Sequence, residues 1–440
     1  MRNLIRRLRR NDVANDTLWS FMQQVIMMIT TFVSFWLLGN RLGPSGFGRY
    51  TGFYGIVGVT AGFAFLGTML TLLQVIRRDG ESPIEAMRSC LTLIMLQGAT
   101  LGLIACIVAR LVLRGIPLVT IVLLTGNELL LLPLVEYVAT SVQATSSFVK
   151  AVRIRLVVPT TKMLLLVVLT VMDRVTLAAV AVAYLIGNGV VTFLLMRWMS
   201  RQDGMTVRPG RVKRTHFKGG FVYATGMFAL GMQNDGDKTV LAANKFEYEG
   251  GLYAAAYRFV QFGLVPISAL LGSSHNRFLE HDPKARNEHV RRTLRYALPA
   301  VAYSAVFGVA MWFSASFVTS FLSPKYAPSA QIMRYLIPLV PLRALAVFPI
   351  NGLMGLGRTA ARTVLLTISA LVAFAAYIVL IPRYTWKGAV AGTIISESFM
   401  AISAWSLLLY YQHRHNRDLD RGEPAAAHGA SMAVDAISAS

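Results

Sequence analysis

Long apolar stretches are the feature that most limits how this chain can fold. The hydrocarbon core of a bilayer needs about 20 apolar residues per helix. We expect twelve such spans, at 18–39, 49–73, 90–113, 116–140, 154–172, 175–196, 220–243, 252–273, 296–321, 331–354, 363–381 and 387–411. Pro159 and Lys162 interrupt the fifth. The sequence therefore predicts an all-α polytopic membrane protein.

Ionisable residues occur inside these spans. Five are basic and five acidic: Lys162, Lys238, Arg258, Arg334 and Arg343, and Glu128, Glu136, Asp235, Asp237 and Glu397. Each charge at the centre of a membrane helix costs about 2.5–3.5 kcal/mol on insertion scales. Charges retained at that cost usually face a bundle interior or a water-filled cavity. The pattern predicts that something polar is handled inside the membrane.

The charge balance predicts orientation. The 440 residues carry a net charge of +22, which in a soluble protein would suggest nucleic-acid binding. Only 15% of residues are charged, against about 25% in soluble domains, so topology explains the excess better and no nucleic acid is expected. With both termini cytoplasmic, basic residues on the inner side outnumber those outside about three to one. No cleavable signal peptide is expected, because the basic start leads into a full-length span.

An internal repeat divides the chain. GRYTGFYGIV at 48–57 aligns with GLYAAAYRFV at 251–260 and matches Tyr50 with Tyr253 and Tyr54 with Tyr257. Because six spans separate the copies, they have the same orientation, and we expect two six-helix lobes related by a pseudo-twofold along the membrane normal. The predicted parts are a basic cytoplasmic N-terminus 1–17, lobes 18–198 and 220–411, a basic cytoplasmic linker 199–219, and a disordered cytoplasmic tail 412–440.

The seventh span has the densest polar cluster, MQNDGDKTVL. Asp235 and Lys238 are three residues apart and can pair on one face, whereas Asp237 is expected on nearly the opposite side. In a functional interpretation, Lys238 meets an anion and one aspartate binds a coupling proton or cation. The alternative is an internal ion pair that holds the halves together.

Other cations are candidates for binding phosphate. Arg343 lies in a span that Pro338, Pro341 and Pro349 should break, and broken membrane helices are tolerated where they line cavities. Arg258 has Tyr257 beside it for sugar stacking, Arg334 begins the tenth span, and Lys162 lies in the inner third of the fifth. Snorkelling to the interface is the alternative for these last three cations.

Acidic candidates are fewer. Glu128 and Glu136 are eight positions apart and should face broadly one way, where either could titrate or neutralise a cation. Glu397 looks isolated. No catalytic constellation, metal-ligand spacing or phosphate loop occurs, and the two cysteines have no predicted partner. We expect neither an enzyme nor a cofactor, apart from a coupling H⁺ or Na⁺.

Three segments of the chain together match the pattern of one family. The matching residues are Arg41, Leu42, Gly43, Pro44, Phe47, Gly48 and Tyr50 after the first span, Asp237 and Lys238 in the seventh, and Gly251, Leu252, Tyr253, Ala256, Tyr257 and Arg258 in the eighth. With these residues the chain resembles the polysaccharide-repeat (Wzx-like) flippases of the multidrug/oligosaccharidyl-lipid/polysaccharide exporter superfamily. The acidic FEYEG turn departs from the usual basic or neutral turn.

This resemblance implies a flippase in the bacterial plasma membrane. It would move undecaprenyl-pyrophosphate-linked oligosaccharides by alternating access, for exopolysaccharide, O-antigen or capsule synthesis. The implied partners are that lipid-linked sugar, membrane lipids, and a polysaccharide polymerase with other assembly proteins. Five buried cations against five acids favour an anionic cargo. A cation-coupled drug antiporter, a membrane enzyme acting on the same lipids, and a non-transporting scaffold are the alternatives.

Overall fold

The structure, a computed structural model, describes residues 2–63, 67–77, 80–113, 115–279 and 286–420. Within these residues it consists of helices and short connections. The helices are α1 Arg2–Ala61, α2 Gly67–Arg77, α3 Pro83–Val112, α4 Leu118–Gly126, α5 Leu132–Thr145, α6 Phe148–Val171, α7 Leu177–Met199, α8 Arg214–Ala243, α9 Glu247–Phe262, α10 Val265–Leu279, α11 Glu288–Leu322, α12 Ser329–Leu336, α13 Leu339–Gly355, α14 Thr359–Tyr384 and α15 Trp386–Asp420. A π-helical segment, Asn127–Leu131, joins α4 to α5.

The helices confirm the predicted fold class. Nine helical stretches of the described chain are long and apolar enough to cross a membrane, and α9 with α10, bent by 44°, makes a tenth. Residues Leu18–Ala61 of α1 would extend about 66 Å, twice the hydrocarbon thickness. They contain two spans that meet at Gly43, whose φ of 65° favours glycine. With α8, which carries Asp235, Asp237 and Lys238 within one turn, the spans of the described chain number twelve.

The breaks follow the prolines only in part. The tenth span is interrupted between Leu336 and Leu339, next to Pro338, as predicted. Pro341 lies in the first turn of α13, where its missing N–H has no partner to lose, and Pro349 lies inside that helix without ending it. Pro159 likewise lies inside an uninterrupted α6. The helices mostly extend past their predicted ends, and this changes the depth of several charges.

The chain divides into two compact units, Met1–Gly231 and Met232–Ser440. The boundary falls inside α8 and not in the predicted linker at 199–219. In the first unit, α2, α3, α5, α6 and α7 enclose an apolar core that includes Leu72, Met87, Leu91 and Val138. Residues 421–440 of the predicted tail lie outside the described chain, and α15 continues to Asp420.

The linker lies against α3 of the first unit. Gly210 N–H donates to Thr92 Oγ1 at 2.9 Å, and Lys213 N–H donates to Ser89 Oγ at 3.0 Å. Lys213 Nζ reaches Glu81 at 3.1 Å, and the buried ring of His216 contacts the same carboxylate at 3.1 Å. Partial burial acts to raise the pKa of Glu81, but the hydrogen bond from Lys213 and the neighbouring charges outweigh it and hold that pKa below its ordinary value. We call these contacts the linker clamp.

The FEYEG turn forms the start of a helix. Glu247 and Glu249 occupy the first turn of α9. Carboxylates stabilise this position because the first N–H groups of a helix carry partial positive charge. The acidic departure from the family pattern therefore has a local structural reason.

Candidate functional site

The first unit holds a buried cluster around Glu128, in the π-helical segment. Its Oε1 accepts hydrogen bonds from Tyr54 Oη at 2.7 Å, Asn127 Nδ2 at 2.7 Å and Lys162 Nζ at 2.6 Å. Asn188 Nδ2 donates to Asn127 Oδ1 at 2.7 Å and ties α7 to the group. We call Tyr54, Asn127, Glu128, Lys162 and Asn188 the first-unit cluster. It carries one negative and one positive charge.

Lys162 is deeper than predicted. Because α6 begins at Phe148 and not near 154, Lys162 lies near the middle of the helix and not in its inner third. Its ammonium also lies 5.2 Å from the Tyr184 ring centroid and 5.9 Å from that of Tyr54. The cation is thus matched by a carboxylate and two aromatic faces, and its side chain is 17% exposed. Neither snorkelling nor an open anion site describes this environment.

Glu136 belongs to a different pair. Arg155 Nε donates to Glu136 Oε1 at 2.8 Å, and Thr140 Oγ1 lies 3.2 Å from the same oxygen. Arg155, inside the predicted fifth span, lies in α6. Glu128 and Glu136 therefore neutralise separate cations. The π-helical segment between them also alters the helical register on which their expected common face rested.

The second unit holds a larger network on α8. Lys238 Nζ lies 3.0 Å from Asp235 Oδ1, 3.3 Å from Asp237 Oδ1 and 2.5 Å from the carbonyl of Asn234. The expectation that Asp237 points away from Lys238 is wrong. Its carboxylate folds back to accept the backbone N–H of Lys238 at 2.7 Å, and the long lysine side chain curls over it. Both aspartates therefore contact Lys238.

Asp237 is fully buried, and a hydroxyl chain supports it. Tyr253 Oη donates to Asp237 Oδ2 at 2.6 Å and lies 3.1 Å from Thr393 Oγ1. Tyr377 Oη lies 3.2 Å from the same threonine and donates to the carbonyl of Gln233 at 3.2 Å. Asp235, by contrast, keeps 37% of its side chain exposed. Lys238 therefore lies between one buried carboxylate and one open carboxylate.

Arg343 pairs with Glu397, so the expectation that Glu397 is isolated is wrong. Arg343 Nε donates to Glu397 Oε1 at 2.9 Å, and Nη2 contacts the same oxygen. Glu397 is fully buried, and its Oε2 has no hydrogen-bond partner in the described chain. Tyr257 packs its ring 4.2 Å from Lys238 Nζ, and its hydroxyl also lacks a partner there. We call Asp235, Asp237, Lys238, Tyr253, Tyr257, Arg343 and Glu397 the second-unit cluster.

The two remaining predicted cations have different surroundings. Arg334 donates to the carbonyl of Trp312 at 3.3 Å and to Ser316 Oγ at 3.2 Å. Its guanidinium lies 5.8 Å from the exposed Trp312 ring, an arrangement typical of a lipid-facing anchor. Arg258 is half-buried and makes no hydrogen bond or ion pair with any described residue.

Sequence reasoning missed the partners more than the charges. Tyr54, Tyr253, Asn127, Asn188 and Arg155 hold the predicted residues in place, and none of them was singled out as a site residue. The repeat was the available signal, since it aligns the tyrosine pairs that meet the charged groups in each unit. The argument that five buried cations favour an anionic cargo is also weaker than expected, because Lys162, Lys238 and Arg343 are each paired with acids.

No protein-family profile and no curated protein sequence matches the chain. Solved structures do. An inward-facing multidrug resistance MATE family transporter of the MOP superfamily aligns with TM-score 0.66 at 13% identity, over 89% of this chain and 99% of that one. The lipid II flippase MurJ, in an inward closed conformation, aligns with TM-score 0.65 at 13% identity, over 90% and 91%.

A third structure is described as a MOP superfamily transporter from Pyrococcus furiosus in which reverse polarity of the binding pocket suggests a different function. It aligns with TM-score 0.62 at 13% identity, over 91% of this chain and 96% of that one. Nearly the whole length is covered in each case, by transporters and a flippase. The chain has the membrane fold of the MOP superfamily transporters.

Proposed function

We propose that the protein is a flippase for an undecaprenyl-pyrophosphate-linked oligosaccharide, working by alternating access in the bacterial plasma membrane with both termini cytoplasmic. Arg258 is the observation that carries this proposal. Among the predicted deep cations, it alone makes no hydrogen bond or ion pair within the described chain. An unpaired cation in a membrane helix needs an anion or water as its partner.

The depth of Arg258 supports a cargo contact over snorkelling. The eighth span begins at Glu247, before the predicted start at 252. Arg258 therefore lies about 16 Å along the helix from its outer end. The bent span continues to Ser274, so Arg258 is near its middle. A guanidinium fork at this depth can hold a phosphate through two hydrogen bonds, which interfacial snorkelling would not require.

Two paired cations could assist by exchanging partners. Lys238 can leave the open carboxylate of Asp235 while Asp237 keeps it in place. Arg343 keeps 16% of its side chain exposed. A pyrophosphate arriving at either cation would replace one carboxylate by another anion, without leaving a charge bare. Tyr257, with its free hydroxyl, is available for a sugar or phosphate oxygen.

The lipid part of the cargo has a candidate surface. A groove of about 360 Å³ is lined by Ser304, Ala305, Gly308, Val309, Trp312, Phe313, Ile337 and Pro341, beside the break between α12 and α13. Phe313 is 80% exposed, which suits a lipid-facing wall. An isoprenoid chain could lie there while its head is inside the protein. That a lipid II flippase shares this fold supports a lipid-linked cargo.

A coupling ion would act at the open end of the second-unit cluster. Neutralising Asp235 with a proton or Na⁺ would weaken its hold on Lys238 and free the ammonium for the cargo. Asp237 could serve as the second partner in this exchange. Glu128 and Glu136 are less suited to coupling because each is held by its own cation.

The second candidate function is a cation-coupled small-molecule antiporter. The second-unit cluster contains three carboxylates and two cations, and one carboxylate is open. This negative excess would suit a cationic substrate. MATE transporters with the same fold are consistent with it.

Depletion of the protein in its native host tests the two functions. A flippase predicts accumulation of the complete polyprenyl-pyrophosphate-linked repeat unit, measured by mass spectrometry. Wild type and Arg258→Lys should rescue, whereas Arg258→Gln should leave about tenfold more of the intermediate, the size expected for loss of a charge-assisted contact. Arg383→Gln, which changes an exposed arginine in the same unit, is the matched control.

The other outcomes are equally specific. Truncated glycans would overturn the flippase in favour of a membrane enzyme. Normal glycans together with increased sensitivity to cationic drugs would favour the antiporter. Full rescue by Arg258→Gln, with that variant present at the wild-type level, would remove the observation on which the proposal rests.

A further inference from the structure

A cavity with polar and apolar walls lies between the start of α11 and the end of α15, away from both charge clusters. It has a volume of about 560 Å³ and is lined by Asn287, Val290, Arg291, Leu294, Leu409, Gln412, His413 and Asn416. Both helix ends are rich in arginine, which predicts the cytoplasmic side of the membrane. The cavity is therefore at the level of lipid headgroups.

Two of its lining side chains can bind an anion and have no partner for that role. The Arg291 guanidinium makes no hydrogen bond or ion pair with any residue that the structure describes, and neither does the His413 ring. Both residues are exposed toward the cavity side of their helices. By contrast, the nearby Arg286 and Arg292 pair with Asp420 and Glu288. Arg291 and His413 are therefore available to a ligand in the cavity.

The floor of the cavity is a built polar surface. Asn416 Nδ2 donates to Asn287 Oδ1 at 2.8 Å and links the two helix ends. Gln412 donates through Nε2 to Asn416 Oδ1 at 3.2 Å, which fixes its amide. Its Oε1 is then left buried without a donor, in a residue only 1% exposed. A buried amide oxygen without a donor costs free energy, so a ligand that donates a hydrogen bond would stabilise it.

The cavity walls toward the bilayer are apolar. Leu294 is 40% exposed and Leu409 is 51% exposed. Together with Val290 they continue the cavity into the lipid-facing surface. A ligand that fits must carry a negative charge, a hydrogen-bond donor and hydrocarbon. Free phosphate lacks the hydrocarbon.

We propose that this cavity binds an anionic glycerophospholipid of the phosphatidylglycerol type, with its phosphate between Arg291 and His413. A headgroup hydroxyl donates to Gln412 Oε1, and the acyl chains lie along Leu294 and Leu409. The lipid bridges α11 and α15 where their ends are otherwise joined by the Asn287–Asn416 contact and the exposed Arg286–Asp420 pair. This site is independent of the transported cargo.

Native mass spectrometry of the full-length purified protein tests the site with dioleoyl-phosphatidylglycerol as the probe. One lipid should bind about tenfold more tightly than dioleoyl-phosphatidylcholine, as expected for one charge-assisted contact. Arg291→Gln should remove that preference. Arg295→Gln, an exposed arginine one turn further along α11, should not, because it does not line the cavity.

A second variant tests the amide. Gln412→Leu should lower the affinity for phosphatidylglycerol, because it removes the acceptor of the headgroup hydroxyl. His413→Gln, compared with Arg414→Gln, serves if Arg291→Gln does not fold. If a cavity variant and its matched control lose the same affinity for dioleoyl-phosphatidylglycerol, the proposal is overturned. Displacement of the lipid by equimolar inorganic phosphate would also overturn it and assign the cavity to free phosphate.

Discussion

The first-unit and second-unit clusters are built on matching tyrosines but satisfy them differently. Tyr54 in the first unit donates to Glu128 at 2.7 Å. Tyr257, its counterpart in the repeat, offers only its ring to Lys238, and its hydroxyl has no partner. The preceding tyrosine, Tyr253, donates to Asp237 instead. The same local sequence therefore supports a polar group centred on one carboxylate in the first unit and a network of three carboxylates in the second.

Because of this difference, we expect the first-unit cluster to contribute more to stability and the second-unit cluster to change its contacts more easily. In the first-unit cluster, a single carboxylate oxygen accepts three donors and the one buried cation is balanced, while Asn188 Oδ1 has no partner among the described residues. In the second-unit cluster, Glu397 Oε2 and Tyr257 Oη lack partners among the described residues, and Asp235 is open. A buried network holds one arrangement more firmly when more of its donors and acceptors are satisfied, and the second-unit cluster has more of them unused. We expect transport-linked changes in the second unit.

The largest expected effect is on stability, from removing the hub of the first-unit cluster. Glu128→Ala leaves Tyr54, Asn127 and Lys162 without their common acceptor. Removing one partner of a buried ion pair lowers the free energy of unfolding by about 3–5 kcal/mol. Glu397→Ala strands only Arg343 and should lower the free energy of unfolding by less. Denaturant unfolding of the full-length protein in detergent, followed by tryptophan fluorescence, measures both.

The control for this comparison is Glu136→Ala, whose pair with Arg155 is more exposed and should matter least of the three. If Glu397→Ala lowers the free energy of unfolding as much as Glu128→Ala or more, the first-unit cluster does not stabilise the protein more than the Arg343–Glu397 pair does.

The second prediction concerns transport. Asp235→Asn should change the free energy of unfolding by less than about 1 kcal/mol, because the pair it belongs to is partly solvated. It should nevertheless reduce transport about tenfold and abolish its dependence on a proton or sodium gradient, if Asp235 controls Lys238 as proposed. Uptake into proteoliposomes with imposed gradients measures this dependence.

Glu136→Gln is the matched carboxylate in the first unit. It should leave the gradient dependence intact. If both variants lose it, or only Glu136→Gln does, the coupling group has been assigned to the wrong unit.

The smallest effect on stability is expected at the linker clamp, whose ion pairs are partly exposed to solvent and can be compared with the buried clusters. Because the pKa of Glu81 is lower in the folded protein than its ordinary value of 4.5, its ion pairs stabilise the clamp above that pH. This stabilisation is lost as the pH falls through the lowered pKa. Glu81→Gln should reproduce the loss at neutral pH, worth under about 1 kcal/mol.

Hydrogen exchange at the amides of Gly210 and Lys213 measures the clamp, since both donate to α3 side chains. They should exchange a few times faster in Glu81→Gln, as a loss of that size requires. Asp203→Asn, in the exposed part of the linker, should have no effect. Unchanged exchange in Glu81→Gln would show that the backbone contacts hold the linker without the charges.

Hydrophobicity and charge placement were enough to predict the helices. Span length fixed their number, and Gly43 with Pro44 marked the turn between the first two. The ends of the helices could not be predicted as well, because polar residues such as Lys150 and Arg153 continue a helix beyond its apolar part. This error had consequences, since it placed Lys162 and Arg258 at the wrong depth.

Pairing could not be predicted from the sequence. Arg343 and Glu397 are 54 positions apart, and only the packing of α13 on α15 brings them together. Within α8, ideal helical angles wrongly predicted that Asp237 faces away from Lys238. The short Asp237 side chain and the long Lys238 side chain bend toward each other instead. The repeat held more information about the sites than any single motif did.

The linker clamp also determines where the gene could be divided. The sequence suggests cutting the chain in the basic linker, between the predicted lobes. Since Gly210, Lys213 and His216 contact α3, a cut near Gly204 would place the clamp on the second polypeptide and leave it to assemble between two chains. The physical junction of the first half is therefore the helix that follows the linker, and separate expression of the halves would depend on recovering those contacts.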